Sequence, residues 1–130
     1  MRWLALAAIL VCVLNGCGED ESAPKCDVSP AAIEFGLAFF TGPADSHSVT
    51  RNLRVRNVGG QDLEFIAELH APTGAGVPRF HLEPPVPARF AVAPGDSATI
   101  SVVLTGTSNS LEGEYDGWVD LGLACGTLPF

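Results

Sequence analysis

The chain has 130 residues with seven basic and fifteen acidic side chains, which gives a formal net charge of −8. This charge argues against the functions that need a basic surface, namely nucleic-acid binding and electrostatic adhesion to anionic lipid. A chain of this length folds as about one domain around one hydrophobic core.

The first sixteen residues have the pattern of an export signal. Arg2 is the only charged residue before an apolar run from Trp3 to Leu14, and Asn15 and Gly16 follow that run. A positive start, a short apolar run and a small residue before a processing point are typical of a secretory signal peptide. The run is shorter than the ~20 residues that a membrane-spanning helix needs. We therefore predict that residues 1–16 are a signal peptide.

The residues around Cys17 refine this prediction. Leu14-Asn15-Gly16-Cys17 resembles the bacterial lipobox, in which the peptide before the Cys is cleaved and the Cys thiol is acylated. The resemblance implies that Cys17 carries lipid, and acyl chains contribute ~0.8 kcal/mol per buried methylene to membrane binding. Asn15 departs from the small residue usual at that lipobox position. The alternative is therefore an ordinary signal peptide cleaved nearby, in which Cys17 has no role.

The expected location of the protein follows from this anchor. We expect the chain to be lipid-anchored to a bacterial membrane, on its periplasmic side or at the cell surface. Gly18 stands after the acylated Cys, where an Asp would favour the inner membrane by analogy with enterobacterial sorting. The outer membrane is therefore favoured. Residues 17–25 are polar and acidic and lack apolar periodicity, so they are predicted to be a flexible tether.

Two cysteines remain in the predicted domain, residues 26–130. Cys26 and Cys125 lie near its two ends, and export would bring them into an oxidising compartment. Such a pair predicts a disulfide. The competing interpretation is a metal site, which needs more ligands than two cysteines, and none of His47, His70 and His81 has ligand spacing relative to them. No metal and no cofactor are predicted.

Short alternating segments separated by Gly, Pro, Asn and Asp predict an all-β sandwich of about seven strands. The alternation of Ile33 and Phe35 indicates the first strand. In the second strand, Leu53 and Val55 are expected to face inward, and Arg54 and Arg56 outward. The third strand has an inward face and an outward face, formed respectively by Leu63, Phe65, Ala67 and Leu69, and by Asp62, Glu64, Ile66, Glu68 and His70.

The second half of the domain begins with a short strand near Phe80 and Leu82. Phe90 and Val92 then lead into Pro94-Gly95, which predicts a type II turn. The next strand is expected to face inward with Ala98, Ile100, Val102 and Leu104 and outward with Thr99, Ser101, Val103 and Thr105. A further strand is expected to face inward with Tyr115, Gly117, Val119, Leu121, Leu123 and Cys125, before a stub of a final strand.

Three motifs follow one another along the domain: Cys26-Asp-Val-Ser-Pro-x-x-Ile33-x-Phe35-Gly36, Leu53-x-Val55-x-Asn57-x-Gly59 and Val92-x-Pro94-Gly95-x-Ser97-x-x-Ile100-x-Val102. In this order they resemble an immunoglobulin-like (Ig-like) domain of the hydin and abnormal-spindle type. This family is related to major sperm protein and includes "choice-of-anchor D" modules of bacterial exported proteins. The resemblance covers nearly all of residues 26–130 and implies a structural or protein-binding module without catalytic residues.

One further motif concerns the Ig-like fold in general. Gly113-x-Tyr115, before the penultimate strand, resembles the tyrosine corner of these sandwiches. In that motif the Tyr hydroxyl bonds to the backbone a few residues upstream.

Catalytic templates do not match the chain. It has no Gly-x-Ser-x-Gly elbow, and its three His residues fall in or beside loops and on an outward strand face. The aspartates Asp45, Asp62, Asp96 and Asp116 lack calcium-loop spacing. We therefore do not expect an enzyme.

One group of outward residues predicts a binding patch. In an Ig-like sandwich the third and sixth strands are neighbours, so Glu64, Ile66 and Glu68 would lie beside Asp116, Trp118 and Asp120. Trp is enriched at binding hot spots. The alternative is a lone surface aromatic covering its own strand, which is common on soluble proteins.

The expected function is therefore that of a membrane-anchored, non-catalytic Ig-like module. It would act as a structural or protein-binding component of the bacterial cell envelope, with a protein partner whose identity the sequence does not give. The alternative is a carbohydrate- or peptidoglycan-binding module that uses Trp118 and the surrounding carboxylates. No nucleic-acid partner is expected.

Overall fold

The computed structural model describes residues 22–38, 40, 47–85 and 88–130. Within them the chain forms eight strands and no helix: β1 Cys26–Ser29, β2 His47–Asn57, β3 Leu63–His70, β4 Arg79–Glu83, β5 Ala88–Val92, β6 Ser97–Gly106, β7 Trp118–Asp120 and β8 Thr127–Pro129. This part of the chain therefore contains no helix long and apolar enough to cross a membrane. Residues 1–16 and Cys17, to which the signal and lipid predictions refer, lie outside the described residues.

The strands form two four-stranded antiparallel sheets. The first has the order β1-β2-β6-β4 and the second the order β5-β3-β7-β8. The prediction of an all-β sandwich is confirmed, with eight strands in place of about seven.

The first sheet is organised by the long pairing of β2 with β6. Their register runs from His47 opposite Gly106 to Arg56 opposite Ser97. The predicted alternation is confirmed at its centre, where Leu53, Val55 and Ile100 are fully buried. Because side chains alternate between the two faces of a strand, the residues between them form the outer face of this sheet.

The second sheet has β3 at its centre. Phe65 lies opposite Phe90 of β5, with the rings stacked at 4.9 Å, and Leu69 lies opposite Val119 of β7. The alternation predicted for β3 is confirmed, because Leu63, Phe65 and Ala67 are buried while the residues between them are exposed. These inward side chains pack against those of the first sheet in one hydrophobic core.

The prediction for the first strand was wrong. β1 is Cys26–Ser29 and pairs with the end of β2, whereas Ile33 and Phe35 lie outside any strand. Ile33 is nevertheless 3% exposed, and its amide donates to the carbonyl of Pro129 at 2.9 Å. Ile33 and Phe35 therefore alternate because they lie in an extended segment after β1, outside any strand. This segment contacts β8 at the edge of the second sheet.

The prediction of one long strand from Tyr115 to Cys125 was also wrong. β7 has only three residues, and the chain then turns at Gly122, whose φ is +82°. The amide of Gly126 donates to the carbonyl of Gly122 at 2.7 Å, and β8 returns along β7. Leu123 lies in this turn and is fully exposed. Its apolar character fitted the alternation, but Gly122 can adopt the left-handed conformation that reverses the chain.

Val103 is on the predicted outer face of the first sheet, yet it is only 4% exposed. It lies on an inner strand, between Thr50 of β2 and His81 of β4. An outward position on an inner strand has neighbours on both sides, so a short side chain there loses contact with water.

Asn57 ends β2 and connects the two sheets. It is fully buried, and its side-chain Nδ2 donates to the carbonyls of Gln61 at 2.6 Å and Val92 at 2.8 Å. Its Oδ1 accepts a hydrogen bond from the amide of Gly59 at 3.0 Å. A buried amide with these bonds satisfies backbone groups that would otherwise be unpaired.

The disulfide between Cys26 and Cys125 is present, as predicted. Cys26 belongs to β1 in the first sheet, and Cys125 lies in the turn between β7 and β8 in the second. The bond therefore links the two sheets and closes a loop with a sequence separation of 99 residues.

The hydrogen bond implied by the tyrosine-corner motif is present as well. The Tyr115 hydroxyl donates to the carbonyl of Leu111 at 2.8 Å. The bond fastens the connection between β6 and β7 just before β7 enters the second sheet.

Candidate functional site

The outer face of the second sheet carries an acidic surface with an apolar centre. β3 supplies Glu64, Ile66, Glu68 and His70, and β7 supplies Trp118 and Asp120. The register places Glu68 opposite Asp120 and His70 opposite Trp118. Residues opposite each other in an antiparallel pair point to the same side of the sheet. We call these six residues the acidic face.

Trp118 is the largest side chain of the acidic face. It is 47% exposed, and its ring stacks on the imidazole of His70 with centroids 4.9 Å apart and an interplanar angle of 11°. Aromatic contacts of this kind contribute about 0.5–1.5 kcal/mol beyond their area burial. The stacking holds both rings in place, while about half of the indole side chain stays in contact with water.

Ile66 lies in the middle of β3 and is 38% exposed. Its neighbour across the β3–β5 pairing is the basic residue Arg89. A shallow open depression of about 420 Å³ is lined by residues that include Glu64, Ile66, Glu68, Arg89 and Asp120. An exposed aliphatic side chain therefore lies between charged groups, separated along β3 from the Trp118 ring, which is opposite His70.

Three polar groups of the acidic face come close together. Glu68 Oε2 lies 3.9 Å from His70 Nε2, and one ligand atom each from Glu68, His70 and Asp120 falls within 4.8 Å of the other two. Asp120 Oδ1 also accepts a hydrogen bond from the amide of Gly122 at 2.8 Å, which orients the carboxylate. Two carboxylates beside an imidazole form a local negative potential that favours a cation or a basic group.

Asp116, the sixth residue of the predicted patch, lies outside the acidic face. It precedes β7 and lines a second depression, of about 820 Å³, at the end of the sandwich. The apolar lining there includes Phe35, Phe80 and Phe130, whose rings contact one another at centroid distances of 5.1–6.1 Å. These rings are engaged in packing, so the acidic face is the stronger candidate for a binding site.

Five of the six predicted patch residues lie on the acidic face, and the predicted patch omitted His70, which belongs to that face, and Arg89 beside it. The alternation along β3 put His70 on the outward side, but the ring contact with Trp118 depends on the β3–β7 register. Arg89 is exposed in a five-residue strand whose outward face the sequence did not resolve.

No protein-family model matches this chain, and no match to a curated protein is found. The acidic face must therefore be judged on its own geometry. It presents an exposed indole, an exposed aliphatic side chain and three carboxylates on hydrogen-bonded strands, which is the composition of a binding surface.

Proposed function

We propose that this protein is a lipid-anchored, non-catalytic Ig-like module of a bacterial cell envelope that binds a basic segment of another envelope protein. The observation that carries the proposal is the half-exposed Trp118 ring, held by His70 and flanked by the carboxylates of Glu68 and Asp120. Trp is enriched at binding hot spots, and nearby charges steer an oppositely charged partner.

Two structural observations support an Ig-like module, and the sequence motifs described above are the basis for proposing the hydin and abnormal-spindle type. β3 and β7 are neighbours in one antiparallel sheet, as the third and sixth strands are in an Ig-like sandwich of seven strands. The bond from Tyr115 to Leu111 has the form of a tyrosine corner. Members of that family are structural or protein-binding modules, which is why we propose a protein partner and no catalysis.

The proposed anchor is the lipid on Cys17, after removal of residues 1–16 as a signal peptide. The described chain begins a few residues later, where the carbonyl of Lys25 accepts a hydrogen bond from the amide of Val58 at 2.9 Å. Residues 17–25 would then bridge the lipid and the sandwich. Gly18 favours the outer membrane, with the domain on its periplasmic side or at the cell surface.

The anchor is tested by labelling cells with palmitate and separating their membranes. The native chain should carry label and stay in the membrane fraction after a carbonate wash, and Cys17→Ala should lose both. Cys12→Ala is the matched control, because Cys12 lies before the proposed cleavage site. A Cys17→Ala chain that remains in the washed membranes would contradict the proposal.

The charge of the acidic face favours a basic partner over any other. Glu64, Glu68 and Asp120 face one nearby basic side chain, Arg89. With residues 1–16 removed, the chain would keep six basic and fifteen acidic side chains, a net charge of −9. Such a field raises the association rate of cationic partners, and added salt weakens the effect.

A carbohydrate or peptidoglycan ligand is the second candidate. An exposed indole beside carboxylates that accept hydrogen bonds from hydroxyl groups supports it. The stacked His70 ring already covers one face of the indole, which leaves at most the other for a sugar ring. For this reason a protein partner is the better match.

Photo-crosslinking in intact cells distinguishes these ligands. A benzophenone amino acid at position 66 should give protein crosslinks, and the same probe at Thr99, exposed on the other outer face, should not. Glu64→Lys with Glu68→Lys should abolish the crosslinks. Equal crosslinking from both positions, or binding of the full chain to a glycan array with no crosslinks at position 66, would overturn the protein-binding proposal.

A further inference from the structure

We infer that Glu68, His70 and Asp120 form a site for a divalent transition-metal ion of the zinc type on the acidic face. Their ligand atoms lie within 4.8 Å of one another on two hydrogen-bonded strands. The inference concerns a metal ion and does not rest on the proposed protein partner.

The donor set fits such an ion. Zinc binds imidazole nitrogen and carboxylate oxygen at ~2.0–2.2 Å, so neighbouring ligand atoms of a tetrahedral site lie about 3.4 Å apart. His70 Nε2 and Glu68 Oε2 are 3.9 Å apart, which a small rotation of two exposed side chains would close. The nitrogen ligand favours zinc and its neighbours in the transition series over calcium, which takes oxygen ligands and needs more of them.

The strands and their contacts place the three ligands before any ion binds. Glu68 and His70 are two residues apart on β3 and share its outer face, and Asp120 is the register partner of Glu68. The imidazole is held by stacking on Trp118, and the Asp120 carboxylate by the amide of Gly122. Contacts of this kind, outside the ligands themselves, fix ligand orientation in metal sites and strengthen binding.

The chain contains an internal control with a similar local pattern. His81 and Glu83 lie two residues apart on the outer face of the first sheet, with His81 Nε2 3.5 Å from Glu83 Oε1. Their partners on β6 are Val103 and Ser101, so the register supplies no third carboxylate beside them. A metal site at Glu68, His70 and Asp120 therefore predicts that zinc distinguishes between the two His–Glu pairs.

The site also explains the crowding of acidic groups on the acidic face. Glu68 and Asp120 are opposite each other, and like charges in that position destabilise a sheet. A divalent ion between them would neutralise both carboxylates. The same ion would stay in contact with water on its outer side, as expected for an exchangeable site on a sheet surface.

Zinc titration of the purified full chain, followed by calorimetry, tests the site. Glu68→Gln and Asp120→Asn should each raise the Kd for zinc about tenfold or more. The side-chain amide oxygen introduced by Asp120→Asn can still accept the hydrogen bond from Gly122, so this change spares the turn. Glu83→Gln is the matched control and should leave the Kd unchanged, and circular dichroism verifies that each variant is folded.

The imidazole signals of the unmodified chain give a second readout. In two-bond proton–nitrogen spectra, zinc should shift the ring nitrogens of His70 and leave those of His81 and His47 in place. The same concentration of calcium should have no effect on His70. Equal shifts at His70 and His81, an equal response to calcium, or a Kd that Asp120→Asn does not change would each overturn the inference.

Discussion

The two outer faces of the sandwich differ in how their polar side chains are used. On the first sheet these side chains bond to one another across strands: Ser48 with Thr105 at 2.9 Å, Arg54 with Ser97 at 2.9 Å and Ser101 with Asn52 at 2.7 Å. On the second sheet, Ile66 is exposed between Glu64 and Glu68 on β3, and exposed Trp118 is two residues from Asp120 on β7. The difference is that the polar side chains of the first face pair across strands, whereas the acidic face leaves an aliphatic and an aromatic side chain exposed.

The pairs His70–Glu68 and His81–Glu83 show that the difference between the outer faces comes from strand register and not from a local sequence motif. Each pair spans three residues of one strand with its side chains on an outer face. Opposite His81 and Glu83 the chain places Val103 and Ser101, and opposite His70 and Glu68 it places Trp118 and Asp120. The same two residue types therefore lie opposite uncharged partners on one face, and opposite an aromatic ring and a carboxylate on the other.

The disulfide between Cys26 and Cys125 links the two sheets that carry these outer faces, and its loss should have the largest effect on stability. Replacing Cys26 and Cys125 together by Ser should lower the free energy of unfolding by about 2–5 kcal/mol, because the unfolded chain regains the freedom of a long loop. Urea unfolding of the native and double-Ser chains measures this loss. A loss below about 1 kcal/mol would mean that the bond adds little to the packing of the sheets.

Asn57 is the second link between the sheets. Asn57→Ala should cost about 2–4 kcal/mol, because it leaves two buried carbonyls and one amide without their side-chain partner. Asn52 is the matched control on the same strand: it is exposed, and its replacement by Ala should cost less than about 1 kcal/mol. Equal losses from the two variants in urea unfolding would show that the buried bonds of Asn57 are not the source of its effect.

Sequence reasoning predicted the features that depend on local alternation and missed those that depend on long-range pairing. The inward and outward sides of β2, β3 and β6 follow from their period of two, and the turn at Pro94-Gly95 follows from the φ preferences of its residues. The turn hydrogen bond from Asp96 to Ala93 measures 3.0 Å, and Gly95 has a φ of +84°. Such features are visible within a few residues of sequence.

The missed features needed information from distant parts of the chain. Ile33 lies beside Pro129, Val103 is covered because β4 and β2 flank it, and the three polar groups of the acidic face meet across a gap of about 50 residues. Leu123 satisfied the alternation of a strand that in fact ends at Asp120. Alternation of apolar and polar residues shows which side chains of a strand point to the core. It does not show where the strand ends or which strand lies beside it.

One aliphatic residue on each outer face differs strongly in burial. Val103 is 4% exposed and Ile66 is 38% exposed, although both point outward from inner strands. Val103→Ala should cost about 1.5–2.5 kcal/mol, because two well-buried carbons are lost and a small cavity remains. Ile66→Ala should cost less than about 1 kcal/mol, although it removes more atoms. Thermal and urea unfolding of both variants test the order, and a larger loss for Ile66→Ala would contradict the difference between the faces.

Trp118→Ala has the smallest expected effect on folding and the largest expected effect on the acidic face. The side chain is outward and 47% exposed, so its loss leaves no core cavity and removes chiefly the stacking on His70. We expect a cost below about 1 kcal/mol in chemical denaturation. The same variant should weaken protein crosslinking from position 66, because a hot-spot Trp contributes mainly to the bound state.

Trp118→Phe is the control that keeps an aromatic ring for stacking, and it should recover part of the crosslinking. A loss of about 3 kcal/mol or more for Trp118→Ala would show a buried ring, because costs of that size come from core cavities. The acidic face would then be part of the packing of the sandwich and not an open surface.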